Sequence, residues 1–213
     1  MAKKILFQGD SITDVDRTQN GGPYGRGYAL YVASELGYDY PNEYEFYNRG
    51  ISGNRIVDLY ARIKADFINI KPDYASIYIG VNDAWHEINH KNGVATDKFE
   101  KIYCMLLDEV YESCPDIKIF LIAPYILEGS GTKSTEEDPT KFERFKKDVK
   151  DKNAAVKRIA EKYNLPCIDL QQYFDKACEK AEPIYWTYDG VHPTANGHQL
   201  IKRLWLETFN KIK

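Results

Sequence analysis

The sequence has few cysteines, no long apolar run and almost no net charge, and each shortage narrows what the chain can be. Only 4 cysteines occur in 213 residues (Cys104, Cys114, Cys167 and Cys178), and none forms a CxxC pair. That argues against a disulfide framework and for reduced, buried thiols. The apolar run behind Lys3-Lys4 is only Ile5 to Phe7, against the roughly 7–15 residues a signal peptide needs. No stretch approaches the ~20 apolar residues of a membrane span, so a cytoplasmic setting without membrane contact is expected. A net charge of −3 gives no electrostatic footprint for nucleic acid. Phosphate-binding signatures of the GxGxxG and GxxxxGK[ST] kinds are also absent. The remaining composition, 43% hydrophobic and 29% charged, is that of an ordinary globular protein, long enough for one domain over residues 1–213 with a full core.

Strand-like runs alternate with helical patterns along the chain. Lys3–Gln8, Tyr44–Asn48, Tyr74–Ile79, Ile117–Ile122 and Cys167–Leu170 read as five strands. Between and after them, helices are expected around 27–36, 55–70, 97–113, 142–163 and 195–210. In the second of these, Ile56, Tyr60, Ile63, Phe67 and Ile70 recur at spacings of 4, 3, 4 and 3, the stripe of an amphipathic helix. Alternation of this kind implies parallel strands joined by right-handed crossovers, an α/β three-layer sandwich. Glu128–Lys141, rich in Gly, Ser, Thr and acids, reads as a solvated surface loop, with a flap over a site or an oligomer contact as the alternatives.

Polar and glycine clusters stand where the strands end. Gly9-Asp10-Ser11-Ile12 follows the first strand, Asn48-Arg49-Gly50-Ile51-Ser52-Gly53-Asn54 the second, and Gly80-Val81-Asn82-Asp83 the third. Asp189-Gly190-Val191-His192-Pro193 lies beyond the fifth, just before the last helix. In open α/β sheets the crevice outside the carboxyl ends of the strands is where ligands bind, and four clusters on one rim weigh more than any one. Serine, histidine and aspartate are together the parts of a hydrolytic triad, recognised by role rather than by order. An unactivated hydroxyl is a poor nucleophile, so an imidazole must take its proton. His192 is the candidate base for Ser11, and Asp189 the candidate that orients the ring.

Taken block by block, these segments resemble the four signatures of the GDSL esterases, also called SGNH hydrolases, in order from residue 4 to about 200. The resemblance implies a flavodoxin-like five-stranded parallel sheet, in agreement with the pattern of elements. It implies a serine esterase with Ser11, His192 and Asp189 as catalytic residues and no cofactor. The oxyanion hole is expected from the backbone N–H groups of Ser11 and Gly53 and the Asn82 side-chain amide, while Asp10 and Asp83 brace their loops. Further likeness around Pro124-Tyr125-Ile126-Leu127-Glu128-Gly129 and Asp83-Ala84-Trp85 is to the acetylxylan-esterase branch. That branch is cytoplasmic, deacetylates short xylo-oligosaccharides and assembles as oligomers, so an acetylated oligosaccharide substrate and a homo-oligomer are expected. Aromatic faces suit sugar rings, and Tyr24, Trp85, Tyr125, Trp186 and Tyr188 are the candidate substrate contacts.

Competing readings are weaker. His86-Glu87-Ile88-Asn89-His90 matches the zinc-protease pattern HExxH. Wedged between the asparagine block and Lys91-Asn92-Gly93, it reads as a loop or single turn with no third ligand, and no metal is expected. A lipase, lysophospholipase or thioesterase would share the triad. A flavodoxin-like phosphate-binding module would have no use for the Asp189–His192 pair.

Overall fold

Strand residues alternate between two separate hydrophobic layers. Ile5 and Phe7 belong to one buried cluster and Leu6 to the other; Tyr74 and Tyr78 face the first, Ala75 and Ile77 the second. A strand whose successive side chains are buried on opposite faces must lie in the middle of a sandwich, and such doubly covered strands are typical of parallel sheets. The computed structural model, which describes residues 1–213, shows that sheet. Its strands are β1 (Lys3–Gly9), β2 (Tyr44–Asn48), β3 (Tyr74–Tyr78), β4 (Lys118–Ala123) and β5 (Cys167–Asp169), all parallel, in the order β2-β1-β3-β4-β5. Chain order reverses between β1 and β3, and the crevice above those two strands is the ligand-binding position of such sheets.

Helices cover both faces. They are α1 (Ser11–Asp14), α2 (Tyr28–Asp39), α3 (Ile56–Ala61), α4 (Val81–His90), α5 (Thr96–Ser113), α6 (Lys141–Tyr163), α7 (Leu170–Cys178), α8 (Pro183–Trp186) and α9 (Ala195–Ile212). On one face α2 presents Tyr28, Val32 and Leu36, while α9 presents Ile201, Trp205 and Phe209, one turn apart each time. Trp205 is fully buried against Phe7 and Phe120, and its Nε1 donates to Ser76 Oγ at 2.9 Å, so the polar edge of the indole is satisfied. On the other face α5 lays Phe99, Tyr103, Leu106, Leu107 and Val110 against β3 and β4. Each such side chain contributes roughly 1.5–3 kcal/mol by leaving water. No helix is long and apolar enough to cross a membrane.

All five strands and the fold class stand as the residue pattern implies. Three local expectations are corrected. The stripe from Ile56 to Ile70 does face inward, but the helix breaks: α3 stops at Ala61 and a π-helical turn, Lys64–Ile68, follows. Arg62 sits at the break, its guanidinium turned to Gly9 O, Arg49 O, Asn54 Oδ1 and Asp66. The HExxH segment is helical: α4 runs unbroken to His90, and left-handed Lys91 ends it, with its own N–H on Glu87 O and the next, of Asn92, on His86 O. The 128–141 segment is not solvated throughout. Thr132 is fully buried, with its hydroxyl on Leu127 O at 2.7 Å. Helices α7 and α8 have no counterpart in the pattern reading.

Candidate active site

β1 delivers the chain into a tight turn at Gly9-Asp10. Asp10 caps α1, its Oδ1 accepting the Ile12 N–H at 3.0 Å, which puts Ser11 at the first helical position. There the backbone N–H has no partner within the helix. The Ser11 hydroxyl lies 2.9 Å from His192 Nε2, and His192 Nδ1 lies 2.7 Å from Asp189 Oδ2. The other Asp189 oxygen, Oδ1, accepts the N–H groups of Val191 (3.0 Å) and His192 (2.9 Å). One four-residue loop therefore holds both carboxylate and ring in register.

The electrostatics select one tautomer. Burial alone would push the Asp189 carboxyl up, but the His192 ring and the two backbone N–H groups outweigh it and bring it down to about 2. The hydrogen bond to Asp189 raises His192 above its ordinary value against the opposing effect of burial. With Asp189 ionised at neutral pH, Nδ1 must carry the proton facing it. Nε2 is then left as an acceptor for the Ser11 O–H, the arrangement a general base requires.

Loops from β2 and β3 flank the serine. Gly53 has φ +82°, open space where a Cβ would stand, and a backbone N–H with no protein acceptor. Asn82, in the first turn of α4, donates one amide hydrogen to Asn54 O at 3.1 Å, which aims the group and leaves its second N–H free. Asp83, next in the chain, accepts the Ile56 N–H at 3.1 and 3.3 Å and so ties α4 to the residues after Gly53. Asp10 and Asp83 are both buried, and that burial pushes each carboxyl up to about 7. The bracing of both loops by these aspartates is as expected from their places in the sequence.

Several positioning residues escape a reading by motif. Asn48, the last residue of β2, donates to Thr13 O (2.6 Å) and Tyr24 O (2.9 Å) and accepts from the Gly50 N–H (2.9 Å). Asp14 takes both the Ser52 N–H (3.1 Å) and the Ser52 hydroxyl (2.8 Å). Their signal in the sequence is only that each is a short polar residue at a strand or helix end facing the reversal in strand order. Gly190 has φ +104°, and a Cβ there would lie 2.3 Å from Thr132 Oγ1. With the Leu127 N–H on Gly190 O and the Gly131 N–H on Asp189 O, the start of the 128–141 segment underpins the Asp189 turn.

The five candidate aromatics do not form one group. Tyr125 is a correction: it is 1% exposed, stacked at 3.8 Å on Phe174, with its hydroxyl on Val191 O. It supports the His192 loop from beneath and has no surface to offer a substrate. Trp85 is half-buried against Phe145, and Tyr24 is half-buried edge-on to Phe46. Tyr188 is 65% exposed, its N–H bonded to His192 O. Trp186 turns aside into a cavity between α7 and α9. On α4, His86 and His90 have ring centroids 5.6 Å apart, and no group of three metal-ligating side chains forms around them.

The model of the GDSL-like lipase/acylhydrolase family matches residues 7–200. An acetylxylan esterase of Geobacillus stearothermophilus is 35% identical over 215 residues, spanning 96% of this chain and 92% of that protein. The crystal structure of Axe2, an acetylxylan esterase from the same organism, superposes with a TM-score of 0.83 at 34% identity, covering 97% of this chain and 93% of that one. Variants of Axe2 with a serine, an aspartate or a histidine changed to alanine are described as catalytic mutants. A GDSL-like protein from Parabacteroides merdae superposes with a TM-score of 0.84 at 33% identity over 99% of this chain and 97% of its own. With a matching family model over nearly its whole length and the fold to go with it, the chain belongs to the GDSL-like lipase/acylhydrolase family and is a carboxylic ester hydrolase.

Proposed function

We propose that the protein removes acetyl groups from carbohydrate esters, with short xylo-oligosaccharides as the substrate class, and that residues 1–213 work as one catalytic unit. The observation that carries this is the continuous hydrogen-bond chain from Ser11 Oγ through His192 to Asp189, at 2.9 and 2.7 Å. Ser11 Oγ attacks the acetyl carbonyl carbon while its proton passes to His192 Nε2. The oxyanion is met by the N–H groups of Ser11 and Gly53 and the free N–H of Asn82. Collapse breaks the bond to the sugar oxygen, which takes the proton from His192, leaving an acetyl group on Ser11. Water, deprotonated by the same nitrogen, then releases acetate. Asp189 stays ionised throughout and stabilises the imidazolium.

The weights of these groups differ. Each preorganised oxyanion donor is worth about 10²–10³ in rate. Asn82→Ala is expected to lower kcat by that factor while leaving KM for a nitrophenyl acetate nearly unchanged, as steady-state kinetics would read. A large rise in KM with kcat intact would assign Asn82 to ground-state binding instead.

Acetyl specificity is supported by the likeness to acetylxylan esterases and by the bulk placed around Asn82. Trp85 follows three residues on, and the space beside it is filled by Phe145 and by Gly131, where even a Cβ would meet the indole at 2.8 Å. Overfilling such a space by a few methylenes costs about 1–3 kcal/mol, roughly one to two decades in rate. A nitrophenyl ester series from acetate to octanoate, run beside acetylated xylo-oligosaccharides, tests the assignment. Rates should collapse with chain length, and the oligosaccharides should be deacetylated. Equal turnover of octanoate would replace the reading with a lipase or thioesterase. A cytoplasmic location is supported by four cysteines, all free thiols. A homo-oligomer is supported by Ile184 and Tyr188, large apolar side chains exposed on α8 and the loop after it.

A further inference from the structure

The cavity that Trp186 enters, of about 310 Å³, opens beside the catalytic loop between α7, α8 and α9. From α7 and the turn after it come Tyr173, Lys176 and Lys180, from α9 comes Arg203, and α8 closes one end with Tyr185 and Trp186. Spacing explains the convergence: residues 173, 176 and 180 lie on one helical face, and 196, 199 and 203 repeat the same spacing on α9. Tyr185 and Trp186 pack edge to face at 4.9 Å, and Trp186 Nε1 is anchored on Ala181 O at 3.1 Å, so the aromatic end is rigid.

Three cations, Lys176, Lys180 and Arg203, line the cavity without an ion-pair partner of their own, and no carboxylate lines it. Asp175 and Glu179 share that helical segment but stand on its other faces; Asp175 is taken up by Gln171 at 2.8 Å. Three unpaired positive charges around an aromatic floor of this size suit one ligand that is both flat-faced and anionic. Asn196 and Gln199 add amides that can meet hydroxyl groups.

The cavity is coupled to the active site by backbone. Thr187 and Pro193 form an antiparallel bridge, the Thr194 N–H bonds Trp186 O at 2.9 Å, and the Tyr188 N–H bonds His192 O at 2.8 Å. Trp186 and His192 thus lie on either side of one bridged pair, their Cα atoms on the order of 10 Å apart by strand geometry. A ligand seated on Trp186 and another group seated at Ser11 are therefore within reach of a single short oligosaccharide. We propose that this cavity is a subsite for a carboxylate-bearing sugar, a uronic-acid branch on the acetylated oligosaccharide. Its ring lies on Tyr185 and Trp186 and its carboxylate is held by Lys180 and Arg203. The proposal rests on the sugar-ester reading above.

The test uses the whole protein and a Lys180→Ala/Arg203→Ala double variant. Three substrates are compared: nitrophenyl acetate, a neutral acetylated xylo-oligosaccharide, and the same oligosaccharide carrying one glucuronic-acid branch. The variant should leave the first two unchanged and raise KM about five- to tenfold for the third, the scale of losing two partly exposed charge contacts. Equal effects on the neutral and acidic oligosaccharides, or none on either, would overturn it. In parallel, Ser11→Ala protein is titrated calorimetrically with non-acetylated xylotriose, with and without the acid branch. Tighter binding of the acidic one, lost in the double variant and weakened by salt, supports the subsite; equal binding of the two overturns it. If wild-type protein cleaves nitrophenyl acetate but neither acetylated oligosaccharide, the sugar-ester reading fails, and the titration alone decides the cavity.

Discussion

Replacing Ser11 by alanine should lower kcat for nitrophenyl acetate by roughly 10⁶-fold, the scale on which serine proteases lose activity with their nucleophile, while the protein melts as before. The first half follows from uniqueness. Ser11 Oγ is the hydroxyl that faces an imidazole nitrogen, at 2.9 Å. The other candidate serine on this rim, Ser52, spends its hydroxyl on Asp14 at 2.8 Å and has no base beside it. The second half follows from what is left behind. The Ser11 hydroxyl bonds only to a half-exposed ring, so its removal orphans no buried group, and the cost in stability should stay within about 0.5 kcal/mol. His192→Ala should be nearly as severe, because Asp189 would still hold its two backbone N–H groups and keep the loop. The double variant should be scarcely worse than either single one, since nucleophile and base act as a unit. Near-full activity in either single variant, with the melting curve intact, would remove the triad from the mechanism.

What the sequence discloses and what it hides divide along a physical line. Strands buried on both faces are written as apolar runs such as Ile5-Leu6-Phe7, and the functional residues stand at their ends, where the chain must turn and polar groups gather. Four strand-end clusters were therefore legible, and so were the five strands and their parallel setting, whereas the order of the strands across the sheet came only with the structure. The Arg62 break in the Ile56–Ile70 stripe was not legible: periodicity records which side chains face inward, and that survives a π turn unchanged. α4 was missed for a related reason. Its first turn carries Asn82 and Asp83, residues of low helix propensity, and its outer face is wholly polar. Only packing of Val81, Ala84 and Trp85 beneath it makes the helix stable. Tyr125 shows the limit of reading aromatics near a motif as ligand contacts. It adjoins the site in sequence because β4 ends there, but its ring points into the core under Val191.

Replacing Asp189 by asparagine should cost about 10⁴ in kcat, the size of effect seen when such an aspartate is changed in a serine protease, and should move the pH profile in a direction that identifies the cause. Asp189 Oδ1 is claimed by two backbone donors, the N–H groups of Val191 and His192 at 3.0 and 2.9 Å. An asparagine must keep its oxygen on those donors, so its NH₂ group takes the place of Oδ2, 2.7 Å from His192 Nδ1. A donor there forces Nδ1 to accept, and the ring proton moves to Nε2, where it points at Ser11 and cannot receive the serine proton. The fold should survive, since the loop keeps both backbone hydrogen bonds. The sign of the pH shift follows from charge. In the wild type Asp189 raises His192 above the ordinary imidazole value of 6.5, so kcat/KM should fall on the acid side with a midpoint above that value, as protonation removes the base. In the variant the favourable hydrogen bond and charge are gone while burial still disfavours the imidazolium. The midpoint should drop below the wild-type one even as the plateau collapses. A variant that loses the plateau but keeps the wild-type midpoint would mean that the acid limb belongs to another group. Buried Asp10, whose carboxyl is pushed up to about 7 beside the serine, would then be the group to replace next.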